Sequence, residues 1–127
     1  MGKIKKKDLK RKKDFLYSLD NIPTRDLVKL LPNLSDENLS FLTNCLGGVI
    51  RCDCPHLKLS KKEQLLAKSA WAPYQKSLKK WECQGNEPEI VYRIKKQTGE
   101  GLVLSALLSA AIPLVTNLVK KVLGHKS

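Results

Sequence analysis

The densest group of chemically capable side chains is Cys52-Asp53-Cys54-Pro55-His56, with Cys45 and Cys83 as the remaining thiols and His125 as the remaining imidazole. Thiolates and imidazoles are zinc ligands, but structural zinc sites usually separate paired cysteines by two to four residues. One residue separates Cys52 from Cys54, so the four cysteines read as free thiols, with Cys45 a small apolar residue on a helix face. Two histidines, one of them three residues from the end, assemble no Cys/His nucleophile or acid–base constellation. No phosphate loop, dinucleotide glycine pattern or paired-carboxylate motif is present. The expectation is a non-enzymatic chain without metal or cofactor. Its charged start lacks the apolar stretch of a secretory signal, which places the thiols in a reducing compartment. Met1-Gly2 opens like a myristoylation signal, but Lys6 stands where Ser or Thr is needed.

Charge is the second resource. The 127 residues carry 24 basic and 12 acidic side chains, a net +12. A balance of that kind favours phosphate-bearing partners, either nucleic acid or an anionic lipid surface. Residues 1–13 hold eight basic residues against one acid, and residues 60–80 hold six against one. The candidate nucleic-acid contacts are Lys3, Lys5, Lys6, Lys7, Lys10, Arg11, Lys12 and Lys13 in the first block. In the second they are Lys61, Lys62, Lys68, Lys76, Lys79 and Lys80. Trp71, Tyr74 and Trp81 lie among the second set. Such rings stack on bases or sit at a membrane interface, but the favoured reading makes them the core-facing side of a basic helix.

The third resource is the C-terminal segment. Residues 101–119 contain no charged side chain. Leu102, Val103, Leu104, Ala106, Leu107, Leu108, Ala110, Ala111 and Ile112 are apolar nearly all round, with Ser105 and Ser109 as a thin polar line. Pro113 is expected to kink the helix. Beyond it, Leu114-Val115, Leu118-Val119 and Val122-Leu123 alternate with Thr116-Asn117 and Lys120-Lys121, giving one apolar and one cationic face. This suits insertion at a bilayer interface, with lysines snorkelling to headgroups. Nineteen residues also reach the lower range for a membrane span. A buried core helix is the competing reading. The membrane-binding candidates are Leu102, Leu104, Leu107, Leu108, Ile112, Pro113, Leu114, Val115, Leu118, Val119, Lys120, Lys121, Val122 and Leu123. The segment resembles melittin in its glycine start, small and aliphatic run, central proline and basic end.

Gln97-Thr98-Gly99-Glu100-Gly101 stands at the composition boundary and is similar to the sequences cut by adenovirus-type maturation proteases. Cutting after Glu100 would release the apolar peptide with Gly101 at its new N-terminus. Small residues in an open linker let a protease bind the chain extended; a plain glycine-containing linker is the alternative.

The elements that position these groups read as short helices. Leu9, Phe15, Leu16 and Leu19 form one stripe. Thr24 is a candidate cap for a helix ending at Pro32. Ser35-Asp36-Glu37 opens another, carrying Leu39, Leu42, Leu46, Val49 and Ile50, in which Gly47-Gly48 is either interior or terminal. Ser60 to Glu63 is a capping box, and Pro73 divides the basic helix it opens into two pieces. Ile90 to Ile94 is a short strand or a helical turn. The expected class is all-α: a small bundle of short helices with a disordered basic N-terminal arm and a C-terminal hydrophobic, amphipathic helix. Its domains are a basic arm 1–13, a helical domain 14–83, a linker 84–100 and a membrane-active helix 101–127.

The order of these features resembles small basic proteins encoded by adintoviruses and by Maverick/Polinton elements. It runs from a Lys/Arg-rich start to "LPNLSDENLSFLTNCLGGVI" at 31–50, "KLSKKEQLLAKSAWAPYQKSLKKW" at 58–81, a glycine-containing joint, and "GLVLSALLSAAIPLVTNLV" at 101–119. The family's basic run before the joint is here diluted by Glu82, Glu87 and Glu89. The resemblance implies a late virion component, comparable to core or membrane-lytic minor capsid proteins of adenoviruses. Its expected partners are a lipid membrane, non-specifically bound nucleic acid, capsid proteins, a maturation protease and further copies of itself. The expected setting is the virion, with the host nucleus or cytoplasm during assembly and a membrane after peptide release. Two alternatives stay open: a nucleic-acid-condensing core protein, and a tail-anchored protein with 101–119 across the bilayer.

Overall fold

The computed structural model describes residues 4–52, 54, 56–82, 85–97 and 99–124. Lys3, Asp53, Pro55, Cys83, Thr98, His125 and Lys126 lie outside the described residues. Among those described, every regular element is helical.

The first helix, α1 (Lys6–Asp20), buries Leu9, Leu16 and Leu19 on one stripe. The Asp8 carboxylate accepts from the Lys5 amide at 3.2 Å and closes its first turn. The expected disordered arm is therefore corrected from Lys6 onward. Ile4 and Leu9 are buried, and their removal from water anchors a segment whose lysines alone would leave it unfolded. α2 (Thr24–Leu30) begins with Thr24 as its first helical residue, not its cap; Pro23 takes the cap position, without a side-chain hydrogen bond. Pro32 ends it in the 3-10 turn Leu31–Asn33.

α3 (Asp36–Arg51) starts as expected, with the Ser35 hydroxyl accepting from the Asn38 amide at 3.2 Å. Asp36 and Glu37 face the helix dipole. Gly47 and Gly48 are interior and buried. The reason at Gly47 is space: a Cβ there would stand 3.0 Å from the Arg51 guanidinium and 3.1 Å from the Glu87 carboxylate. Arg51 pairs with Glu87 at 3.0 Å and donates to the Trp81 carbonyl at 2.6 Å. The Trp81 indole donates to the Thr43 carbonyl at 3.0 Å.

The Ser60/Glu63 capping box opens α4 (Lys61–Trp71). Pro73 breaks the chain into a 3-10 turn, Ala72–Tyr74, before α5 (Gln75–Glu82). The segment 84–100 is largely helical rather than an open linker: α6 (Glu87–Lys96) carries Pro88 in its first turn and buries Ile90, Val91 and Ile94. Ile90 and Ile94 lie four residues apart on one face, so the Ile90–Ile94 stretch is helix and not strand.

α7 (Glu100–Val122) is the spine of the bundle. It packs against each of α1, α2, α3, α4, α5 and α6. The helix runs unbroken through Pro113, which is exposed.

Candidate functional site

The enclosure of α7 reflects its composition. A helix apolar on nearly every side must be covered on nearly every side. Leu104, Leu107, Leu108, Ile112, Val115, Leu118 and Val119 are each no more than 2% exposed. Leu114, Val122 and Leu123 are partly buried against the same core. The remaining solvent strip runs through Leu102, Val103, Pro113, Asn117 and Lys121. The expected polar faces are thereby redistributed. Ser105 and Ser109 point inward, with no exposure, and among the described residues their hydroxyls find no hydrogen-bond partner. Thr116 is also buried and donates back to the Ile112 carbonyl at 2.8 Å. Surrounding helices cover too much of the circumference for every polar position to reach water.

Charged groups fasten the two ends of α7. At its C-terminal end Lys121 donates to the Glu63 carboxylate at 2.6 Å, and Lys120 lies 5.3 Å from the Tyr17 ring centre. The Lys121 bond, followed by the Ser60 amide, holds the Glu63 carboxyl below its ordinary value. At the N-terminal end Glu100 pairs with Arg93 at 3.3 Å and Lys80 at 3.5 Å.

The predicted processing segment forms the corner between α6 and α7. Gln97 and Gly99 are exposed and both adopt positive φ, 59° and 48°. Glu100 is half-buried, and Gly101 is buried in the first turn of α7. A Cβ on Gly101 would stand 2.0 Å from the Arg93 carbonyl oxygen, so glycine permits this close crossing. The Leu102 amide donates to the Gly99 carbonyl at 3.2 Å. The Glu100–Gly101 bond thus sits inside a hydrogen-bonded turn, and a protease that binds extended chain needs that turn to open.

The basic residues divide into free and engaged groups. Lys5, Lys6, Lys7, Lys10 and Lys13 are exposed on or beside α1, as are Lys61, Lys62 and Lys68 on α4 and Lys76 and Lys79 on α5. Lys12 is drawn to Glu37 at 2.7 Å and to Asn38 at 2.7 Å, and Arg11 to Glu37 at 3.5 Å. Lys80 is shared between Glu89 and Glu100. Trp71 and Trp81 are buried and Tyr74 partly so, which makes them core residues and not a stacking platform.

Cys45 and Cys54 are buried and Cys52 is exposed at the left-handed C-cap of α3, with φ 56°. Burial, and then the neighbouring Cys54, pushes the Cys45 thiol far up. Among the described residues no three His, Cys, Asp or Glu side chains gather as metal ligands. Sequence reasoning missed the Arg51–Glu87 and Lys121–Glu63 pairs, whose partners lie 36 and 58 residues apart. It also missed Leu65 and Leu66, which are 70% and 58% exposed. Their signal was present: a helix that turns Ala67 and Trp71 inward turns Leu65 outward.

No family model, no curated protein and no solved structure matches this chain.

Proposed function

We propose that the chain is a non-enzymatic, virion-type protein whose α7 is a membrane-active peptide, stored inside the bundle and freed by cutting after Glu100. The observation that carries this reading is the conjunction of composition and place. α7 is 23 residues long, an 18-residue stretch of it has mean hydropathy 2.1, and it is enclosed by six shorter helices. At 1.5 Å per residue it extends roughly 35 Å, enough to cross a hydrocarbon core of about 30 Å.

Energetics support storage. Seven aliphatic side chains larger than alanine are buried along α7, each contributing about 1.5–3 kcal/mol. The gross figure, roughly 10–20 kcal/mol, is comparable to the whole net stability of a domain, about 5–15 kcal/mol. Withdrawing α7 therefore dismantles the core. In the uncut chain α7 rebinds at an effective concentration on the order of millimolar, and cutting removes that advantage. A bilayer then offers the same burial, with lysines at anionic headgroups adding about 1 kcal/mol each. The resemblance to adintovirus and Maverick/Polinton proteins supports a virion setting with capsid proteins and a maturation protease as partners.

Dye release from anionic liposomes is compared for the intact protein, the protein cut after Glu100, and the 101–127 peptide. The expected order is weak, strong, strong. Equal leakage from intact and cut protein rejects the storage, and silence from the peptide rejects the lytic role.

The exposed lysines of α1 favour a second reading, a nucleic-acid-condensing core protein. Its duplex affinity would be indifferent to sequence and fall with salt at a log–log slope near −0.9 per phosphate neutralised. Salt-insensitive binding rejects it.

A further inference from the structure

The outer face of α4 combines two properties that the bundle does not use. Ala67 and Trp71 are its buried residues, and at 100° per residue Leu65 falls nearly opposite Ala67, with Leu66 beside it. Both leucines are largely exposed, and Lys61, Lys62 and Lys68 share the exposed surface of the same helix. The only acid of α4, Glu63, is turned inward and bound to Lys121.

Of the five large hydrophobic side chains most exposed among the described residues, Leu65 is the most exposed and Leu66 the third. Scattered surface leucines are ordinary; two adjacent exposed leucines on one short helix, with three lysines on the same exposed surface, are not.

We infer that this face of the uncut protein is a landing surface for anionic phospholipid bilayers. The lysines are complementary to the headgroups, and their stems lie along the interface while Leu65 and Leu66 enter the acyl boundary. A nucleic acid supplies phosphates equally well but offers the leucines nothing, and the rings that would stack on bases, Trp71 and Trp81, are buried. The inference extends the proposed function, since both concern a bilayer, but it rests on a different surface and requires no cutting.

The test uses the intact full-length protein and flotation with vesicles of phosphatidylcholine, with or without phosphatidylserine. The wild type is expected to float with the anionic vesicles and only weakly with the neutral ones. Leu65→Ser with Leu66→Ser is expected to weaken anionic-vesicle binding about 100-fold, roughly tenfold per leucine. Lys62→Gln with Lys68→Gln is expected to weaken it about 10- to 30-fold. All four positions are solvent-exposed, and unchanged circular dichroism verifies the fold. Unaltered vesicle binding by the leucine variant overturns the inference. So does a lysine variant that loses duplex DNA while keeping vesicles, which would make the face a nucleic-acid surface. Dye release by the 101–127 peptide involves none of these residues, so failure of docking and failure of lysis are separate results.

Discussion

Gly101→Ala tests whether the corner between α6 and α7 is held by close backbone packing. The new methyl would meet the Arg93 carbonyl oxygen at 2.0 Å, where ordinary contact begins at 3.4 Å. The obstacle is backbone, not the end of a flexible side chain, so α7 must retreat from α6 by roughly 1.4 Å or the turn must distort. A radial gap of 0.5–1 Å already forfeits about a quarter to a half of the dispersion attraction. Overpacking of this kind costs typically 1–3 kcal/mol, and a backbone obstacle belongs at the upper end, about 3 kcal/mol. Alanine recovers about 1 kcal/mol of helix propensity over glycine. The expected net loss is about 2 kcal/mol, or a fall in Tm of roughly 8 °C for a chain of this size. Gly99→Ala is the comparison. Its Cβ meets nothing within 4 Å, but its φ of 48° with ψ of −117° is a conformation that glycine alone adopts readily, so a loss of about 1–3 kcal/mol is expected from backbone strain alone. Urea unfolding followed by circular dichroism measures both. A Gly101→Ala protein as stable as the wild type would refute the packing argument and leave protease recognition as the reason for glycine. If α7 is stored as proposed, the same substitution raises dye release by the uncut chain.

Glu63 has a carboxyl pKa lowered by Lys121, so its folded value lies below its unfolded value. Its stabilisation is complete above the ordinary carboxylate pKa of about 4.3 and is lost as pH falls through the folded value. Glu63→Gln should therefore flatten the acid limb of a stability–pH curve below about pH 4.5, and an unchanged limb would discount the Lys121 tether. Glu87→Ala removes the carboxylate that stands 3.0 Å from the Arg51 guanidinium, in a pair whose side chains are each 12% exposed. A loss of about 1–3 kcal/mol is expected in denaturant unfolding, and an unchanged stability would mean that the pair contributes nothing net. In native protein a maleimide should label Cys52 ahead of Cys45 and Cys54, as peptide mapping would show. One zinc per chain by elemental analysis would contradict the free-thiol reading.

Local signals were the legible part of the chain. The Ser35 cap, the Ser60/Glu63 box and the break at Pro73 each depend on residues within a few positions of one another, and each stands in the structure as the sequence implied. The Leu9–Leu16–Leu19 stripe and the apolar side of α3 likewise come from period alone. Thr24 is not a cap because Pro23 occupies that position. The basic start is ordered against expectation because lysine content says nothing of Ile4 and Leu9, whose burial depends on distant partners such as Cys54, which donates to the Ile4 carbonyl.

Residue order alone is enough for an all-α chain, for helix boundaries at Ser35, Ser60 and Pro73, for the basic blocks, and for one segment too apolar to remain in water. What covers that segment depends on assembly. The first half of α7 has too thin a polar line to mark which side meets which neighbour, and Thr116 on the expected polar face is buried nonetheless, so Ser105, Ser109 and Thr116 are placed inward by the six helices around α7. The same holds for Gly101, whose crossing with Arg93 is set by the angle between two helices, and for Lys121, which meets Glu63 across 58 residues. Contacts of that range arise from how elements pack, and no local spacing encodes them.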